Sequence, residues 1–246
     1  MKQCIHGFWM CQSMFCAIPI PCKTWDEEAR DWMLQWLPVI GLEIGLLWYG
    51  LGWLCRWAGL APLLTGLALA ALPYLATGYI HLDGFMDVTD AVKSCRSLER
   101  RREILKDSHV GSFAVIGVCL LLLAQFACCT VLAEGGYLPP LMFVPAVSRC
   151  CSTLAVTVLP KMNTSQYVKS QRKPATVAIP TVLLLGLMGC GFILWGRFAL
   201  ALPATCLAYA LALRRAYRSL EGMSGDVSGY AQTLSELAAV AVLAIL

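Results

Sequence analysis

One histidine and three aspartates fall within the run His81-Leu82-Asp83-Gly84-Phe85-Met86-Asp87-Val88-Thr89-Asp90, directly after an apolar stretch long enough to cross a bilayer. On a helix, Asp83, Asp87 and Asp90 stand at i, i+4 and i+7 and project from one face. Like charges at that spacing repel, and desolvation near a membrane surface adds to the cost. A positive group should therefore sit among them. A hard dication such as Mg²⁺, which takes carboxylate oxygens and bridges phosphates, fits that need. The plainer alternative is a solvated acidic helix end.

Downstream, Glu99 and Glu103 alternate with Arg100, Arg101, Arg102 and Lys106 at helical spacing, as on a solvated helix with internal ion pairs. Asp107 differs, because it stands where this stretch meets the next apolar run, close to Gly111. In a hairpin it could complete a metal site with the three aspartates, and Arg100 to Arg102 with Lys106 would then offer positive charge to phosphates. His81 precedes Asp83 by two residues, off its helical face, and is a candidate ligand, hydrogen-bond donor or general base. Glu43, Arg149 and Glu236 are ionisable residues in or beside apolar runs, where charge is costly and usually finds a partner or a polar cavity. Arg149 either holds a substrate phosphate or pairs with Glu43 or Glu236. Gly222 to Gly229 reads as a polar connector whose backbone N–H groups could approach an anion.

Hydrophobic residues make up 59% of the 246 residues and charged residues only 14%, against roughly a quarter charged in soluble domains. The apolar residues come in blocks of about 20, the length that spans hydrocarbon. Spans are predicted near 33–56, 61–80, 110–133, 138–159 and 175–196, with two shorter ones near 198–213 and 231–246. The expected fold is all-α, a polytopic transmembrane helical bundle of about six to seven membrane helices. Residues 1–32 form an N-terminal interfacial segment, with Phe15 to Cys22 extended, and 33–246 a single integral-membrane catalytic domain.

Basic residues cluster at 93–106, 161–173 and 214–218. All three clusters fall on one side of the predicted spans, with Lys2, Lys23 and Arg30, while the other side holds Arg56 and Arg197. The positive-inside rule makes the acidic motif cytoplasmic, on a cell (inner) membrane. The N-terminus lacks the pattern of a cleaved signal. The thirteen cysteines have no CxxC pair, and Cys119, Cys128, Cys129, Cys190 and Cys206 lie within apolar runs as small hydrophobes.

The run Thr77-Gly-Tyr-Ile-His81-Leu-Asp83-Gly-Phe-Met-Asp87-Val-Thr-Asp90, with Asp107-Ser-His-Val-Gly111-Ser-Phe, resembles the signature of the cobalamin synthase family, adenosylcobinamide-GDP ribazoletransferases. The likeness extends through Phe15 to Pro21, Pro38 to Gly45, Ser148-Arg149 and Gly222 to Asp226, ahead of Leu234 to Leu237. Departures are Glu43, where an apolar residue is expected, and Ser108-His109 in place of a pair ending in Arg. The resemblance names no counterpart for Met1 to Met14.

The resemblance implies a Mg²⁺-dependent membrane enzyme that joins adenosylcobinamide-GDP to α-ribazole or its 5′-phosphate and releases GMP. Asp83, Asp87, Asp90 and Asp107 would hold the metal, with His81, Asp83 and Asp87 as catalytic groups. Arg149, Arg102 and Lys106 would face substrate phosphate. Beyond these substrates and the lipid bilayer, no nucleic acid is expected, and a homo-oligomer is an open alternative. Two rivals share some features. A CDP-alcohol phosphotransferase of lipid synthesis also clusters aspartates after a span, but Asp83-Gly84 lacks the following Ala-Arg of that signature. An ion-coupled transporter would show internal repeats and paired broken helices, and neither is visible.

Overall fold

The computed structural model describes residues 2–20, 25–162 and 174–246. Lys23, Pro21 and Cys22, and Lys169, Arg172 and Lys173 of the second basic cluster, lie outside the described residues. The chain forms ten α-helices among the described residues and no strand. They are α1 (Lys2–Phe15), α2 (Arg30–Trp57), α3 (Pro62–Ala76), α4 (Ile80–Lys93), α5 (Leu98–Ile104), α6 (Ser112–Ala133), α7 (Val144–Val158), α8 (Pro174–Trp195), α9 (Ala201–Leu220) and α10 (Gly225–Ile245).

Local chemistry sets several boundaries. Asp26 accepts from the Glu28 N–H at 2.9 Å and opens a 3₁₀ turn that runs into α2. Pro62 starts α3 at a position where its missing N–H costs nothing. Ser224 caps α10 by accepting from the Val227 N–H at 3.2 Å. The α3–α4 junction carries left-handed backbone at Gly78 (φ 58°) and Tyr79 (φ 65°). There the chain turns by 88°, so α4 does not continue α3 but lies across one end of the bundle. The predicted 61–80 span therefore ends at Ala76, and His81 falls in the first turn of the transverse helix.

The same end gathers the starts of α2, α6, α8 and α10 and the ends of α3, α7 and α9. Gln35 Nε2 donates to the Thr176 carbonyl across α2 and α8, and Thr153 Oγ1 of α7 donates to the Leu34 carbonyl of α2. Arg102 reaches the last carbonyls of α9. Lys161 and Met223 form a short parallel bridge that ties the exit of α7 to the entry of α10. Five helical stretches are long and apolar enough to cross a membrane, or six with α3 and α4 counted together. One of them, Pro174–Leu220, joins α8 and α9. Because α8 begins and α9 finishes at the same end of the bundle, that stretch is two crossings, and the count agrees with the expected six to seven. The two late spans are longer than the sequence suggested, at 20 and 21 residues. Their polar starts and ends are covered by α4 and α5 rather than by lipid.

Helices α6 and α8 keep Leu120, Leu123, Val182, Leu185 and Ile193 exposed, an apolar outer surface suited to hydrocarbon. Inside, α2 approaches α7 closely: a Cβ on Gly41 would stand 2.5 Å from the Pro145 carbonyl oxygen. Small residues at such crossings let backbones touch where lipid supplies no hydrophobic drive. The N-terminal segment is helical and belongs to the core. Met10, Cys11 and Phe15 are buried, Trp36 Nε1 donates to the Cys4 carbonyl at 2.9 Å, and Phe8 meets Trp36 edge-on. Phe15, expected to begin an extended segment, is instead the last residue of α1.

Candidate active site

Helix α4 packs its small side against α10. A Cβ on Gly84 would lie 2.9 Å from the Asp226 Cα, so glycine there brings the two backbones together. Asp226, in the first turn of α10, is thereby added to the acidic set of α4. Asp87 is half-buried, and its carboxyl is pushed up to about 7, first by burial and then by the charges of Asp83, Asp226 and Asp90. Either a proton on Asp87 or a cation among the set would relieve that repulsion.

Asp90 has a different task from the one its spacing suggested. Its two carboxylate oxygens accept from the Gly111 N–H at 2.5 Å and the Ala114 N–H at 3.1 Å, capping α6. Asp107 accepts from the backbone N–H of His109 at 3.0 Å and lies 2.7 Å from its Nδ1. These hydrogen bonds hold its carboxyl below the usual carboxylate range. Asp90 and Asp107 do meet at one place, an open recess of about 450 Å³ that Arg96, Arg100 and His109 also line. All the candidate metal donors are carboxylate oxygens, the ligand type a hard dication takes. Among the described residues no three His, Cys, Asp or Glu side chains converge on one point. A full coordination shell thus requires rotation of these side chains, substrate oxygens or water.

Two expected phosphate contacts have protein partners. Arg149 is completely buried on α7, with Nη1 2.6 Å from Glu236 Oε1. A charge in the bundle interior is held by a partner, and Glu236 is that partner; Gln12 Nε2 donates to Glu43 at 3.1 Å. Arg102 donates from Nε to the Leu220 carbonyl at 3.0 Å and from Nη2 to the Glu221 carbonyl at 2.9 Å. Its guanidinium caps the negative end of α9. Lys106 follows α5 and is not among the residues that line the recess beside Asp90.

His81 is partly buried and stacks on Phe15 with ring centroids 6.0 Å apart. It lines a small cavity of about 60 Å³ together with Leu34, Ser152, Asp226, Ser228 and Gln232. Ser152 and Ser228 hydroxyls are 2.6 Å apart, and the Tyr209 hydroxyl lies 2.9 Å from Ser228. Asp226, Gln232, Ser228 and Tyr209 were not singled out from the sequence. For Asp226 and Ser228 a signal existed, because both sit in the Gly-rich stretch opening α10; for Gln232 and Tyr209 it did not.

A transverse acidic helix thus lies across one end of a bundle of membrane-length helices, beside a recess that two arginines line. The comparisons with known proteins supply the family. A model of the cobalamin-5-phosphate synthase family matches residues 7–244, and the chain belongs to that enzyme family. It is 35% identical over 252 residues to an adenosylcobinamide-GDP ribazoletransferase of Clostridium perfringens (strain SM101 / Type A), covering 100% of both chains. Identity is 34% to the ribazoletransferase of Clostridium botulinum (strain Alaska E43 / Type E3), covering 96% of each chain. The like-named protein of Brevibacillus brevis is 30% identical over 97% of this chain and 98% of its own. No solved structure matches.

Proposed function

We propose that the chain joins adenosylcobinamide-GDP to α-ribazole, or to its 5′-phosphate, with release of GMP. The observation that carries this is the meeting of α4 with the start of α10, which sets Asp83, Asp87 and Asp226 together in a chain of this family. The ribazole hydroxyl oxygen would form a bond to the phosphorus nearest the cobinamide. The bond from that phosphorus to the GMP oxygen breaks, and GMP leaves with the electron pair. Such transfer depends on positioning and on offsetting charge in a loose transition state.

Asp83, Asp87 and Asp226 would hold Mg²⁺, with Asp90 and Asp107 as further candidates on the recess side. Bound there, the ion would offset pyrophosphate charge as a Lewis acid. Arg100, a candidate from the sequence, and Arg96 line the recess and would meet phosphate oxygens, while Arg149 and Arg102 have protein partners. His81 would accept the hydrogen of the attacking hydroxyl. The basic residues at the α4 end support a cytoplasmic orientation in the cell membrane, where nucleotide and Mg²⁺ are supplied.

The test is GMP release by detergent-solubilised protein given adenosylcobinamide-GDP and α-ribazole. Release that requires Mg²⁺ and stops with a chelator is expected. Release indifferent to the chelator sinks the metal assignment, and none from folded protein sinks the transferase assignment. No observation favours the lipid phosphotransferase or transporter.

A further inference from the structure

Behind His81 the bundle interior holds a connected set of polar side chains. Arg149 Nη1 and Ser148 Oγ both donate to Glu236 Oε1, at 2.6 and 2.7 Å. Gln232 stands four residues before Glu236 on α10, on the same face, and is buried. With its amide oxygen turned inward, that oxygen accepts from His81 Nε2 at 3.0 Å and from both terminal nitrogens of Arg149 at 3.2 Å. The opposite amide orientation would set its NH₂ against the terminal nitrogens of Arg149, which can only donate, and buried donors facing donors are costly. The guanidinium therefore fixes the amide, and Glu236 fixes the guanidinium.

An Nε2–H given to Gln232 leaves Nδ1 as the ring nitrogen available to the cavity that His81 lines with Ser152, Asp226 and Ser228. The stack on Phe15 restrains the ring from turning. A buried ion pair is a weak source of stability compared with apolar packing, so a second role for it here is reasonable on energetic grounds.

We propose that Glu236, Arg149 and Gln232 are positioning residues that hold the His81 proton on Nε2, so that Nδ1 accepts the hydrogen bond of the attacking hydroxyl. The hydroxyl belongs to the transferase assignment above; the tautomer stands on the hydrogen-bond geometry alone.

The experiment is ¹⁵N NMR of histidine-labelled full-length protein in detergent, paired with kinetics. The chain has three histidines, and the His81 signals are those lost in His81→Gln. Wild-type protein should carry its His81 proton on Nε2. In Gln232→Leu the proton should redistribute to Nδ1, and kcat for GMP release should fall about 10- to 100-fold, as when outer partners of site histidines are removed, with KM for adenosylcobinamide-GDP unchanged. Gln232→Glu keeps an oxygen facing Arg149 and should retain the wild-type tautomer. A wild-type proton on Nδ1, or an unaltered tautomer in Gln232→Leu, overturns the proposal. If the Leu variant does not fold, the wild-type spectrum and the Glu variant decide. Absence of GMP release from wild-type protein counts against the transferase assignment, while the spectra still judge the tautomer.

Discussion

At the end away from the aspartates, Trp48, Leu69, Leu132, Leu138 and Leu141 close the bundle by apolar packing. Polar groups there serve the backbone: Trp48 Nε1 donates to the Leu69 carbonyl at 2.7 Å, and Arg56 Nη2 to the Leu132 and Gly136 carbonyls at 2.5 and 2.7 Å. At the α4 end, beside the core of Met33, Leu37, Phe85 and Val88, polar side chains meet side chains: Gln12 with Glu43, Ser152 with Ser228, and Gln232 with His81. The first end satisfies the helix ladder with few polar side chains. The second keeps polar groups inside the fold at a cost that only function accounts for.

The contrast can be broken by substitution. Asp83→Asn or Asp87→Asn should lower GMP release at least about 100-fold, beyond the 10–100-fold typical of a metal's outer partners. Thermal melting should show the fold intact, since removing one charge relieves repulsion from Asp226 and Asp90. Mg²⁺ should raise the melting temperature of wild-type protein and not of Asp87→Asn, because only a ligand that binds the folded state stabilises it.

Glu236→Leu leaves Arg149 charged and unpaired in the interior, which should cost about 3–5 kcal/mol of unfolding free energy. The double change Arg149→Met with Glu236→Leu should recover much of that stability without recovering activity, as measured by denaturation in detergent alongside turnover. At the apolar end, Trp48→Phe should cost about 1 kcal/mol through the lost bond to Leu69, with kcat unchanged. The smallest effect is expected at Asp26, whose carboxyl is held below its ordinary range first by the hydrogen bond from His6 and then by the Glu28 N–H. Its contribution is present above the ordinary carboxylate range and disappears as pH falls through the lowered value. Asp26→Ala should therefore lower the melting temperature slightly at pH 7 and not at pH 2.

The spans were legible because hydrocarbon imposes length and apolarity on every one, and α2, α6, α7 and α8 lie within a few residues of their predicted limits. The acidic motif and His81 were legible as a cluster of types. What spacing could not supply was the partner of each group. Asp90 has the same periodic register as Asp83 and Asp87, yet α6 begins beside it and takes both its oxygens. Arg149 left its alternatives open until α10 placed Glu236 against it. Asp226 is 143 residues from Asp83 along the chain, and only the small side chain of Gly84 lets the two helices meet. Helix α1 was missed because its polar breaks, His6, Gln12 and Ser13, hid a face that buries Met10, Cys11 and Phe15.

The ring of Phe15 against His81 makes the first helix a wall of the cavity that His81 lines. Proteolysis or a start codon placed beyond Cys16 would leave every crossing helix in place and still unroof the imidazole to water. A preparation shortened in that way should insert and yet be a poor catalyst, with its defect at the imidazole rather than at the aspartates of α4.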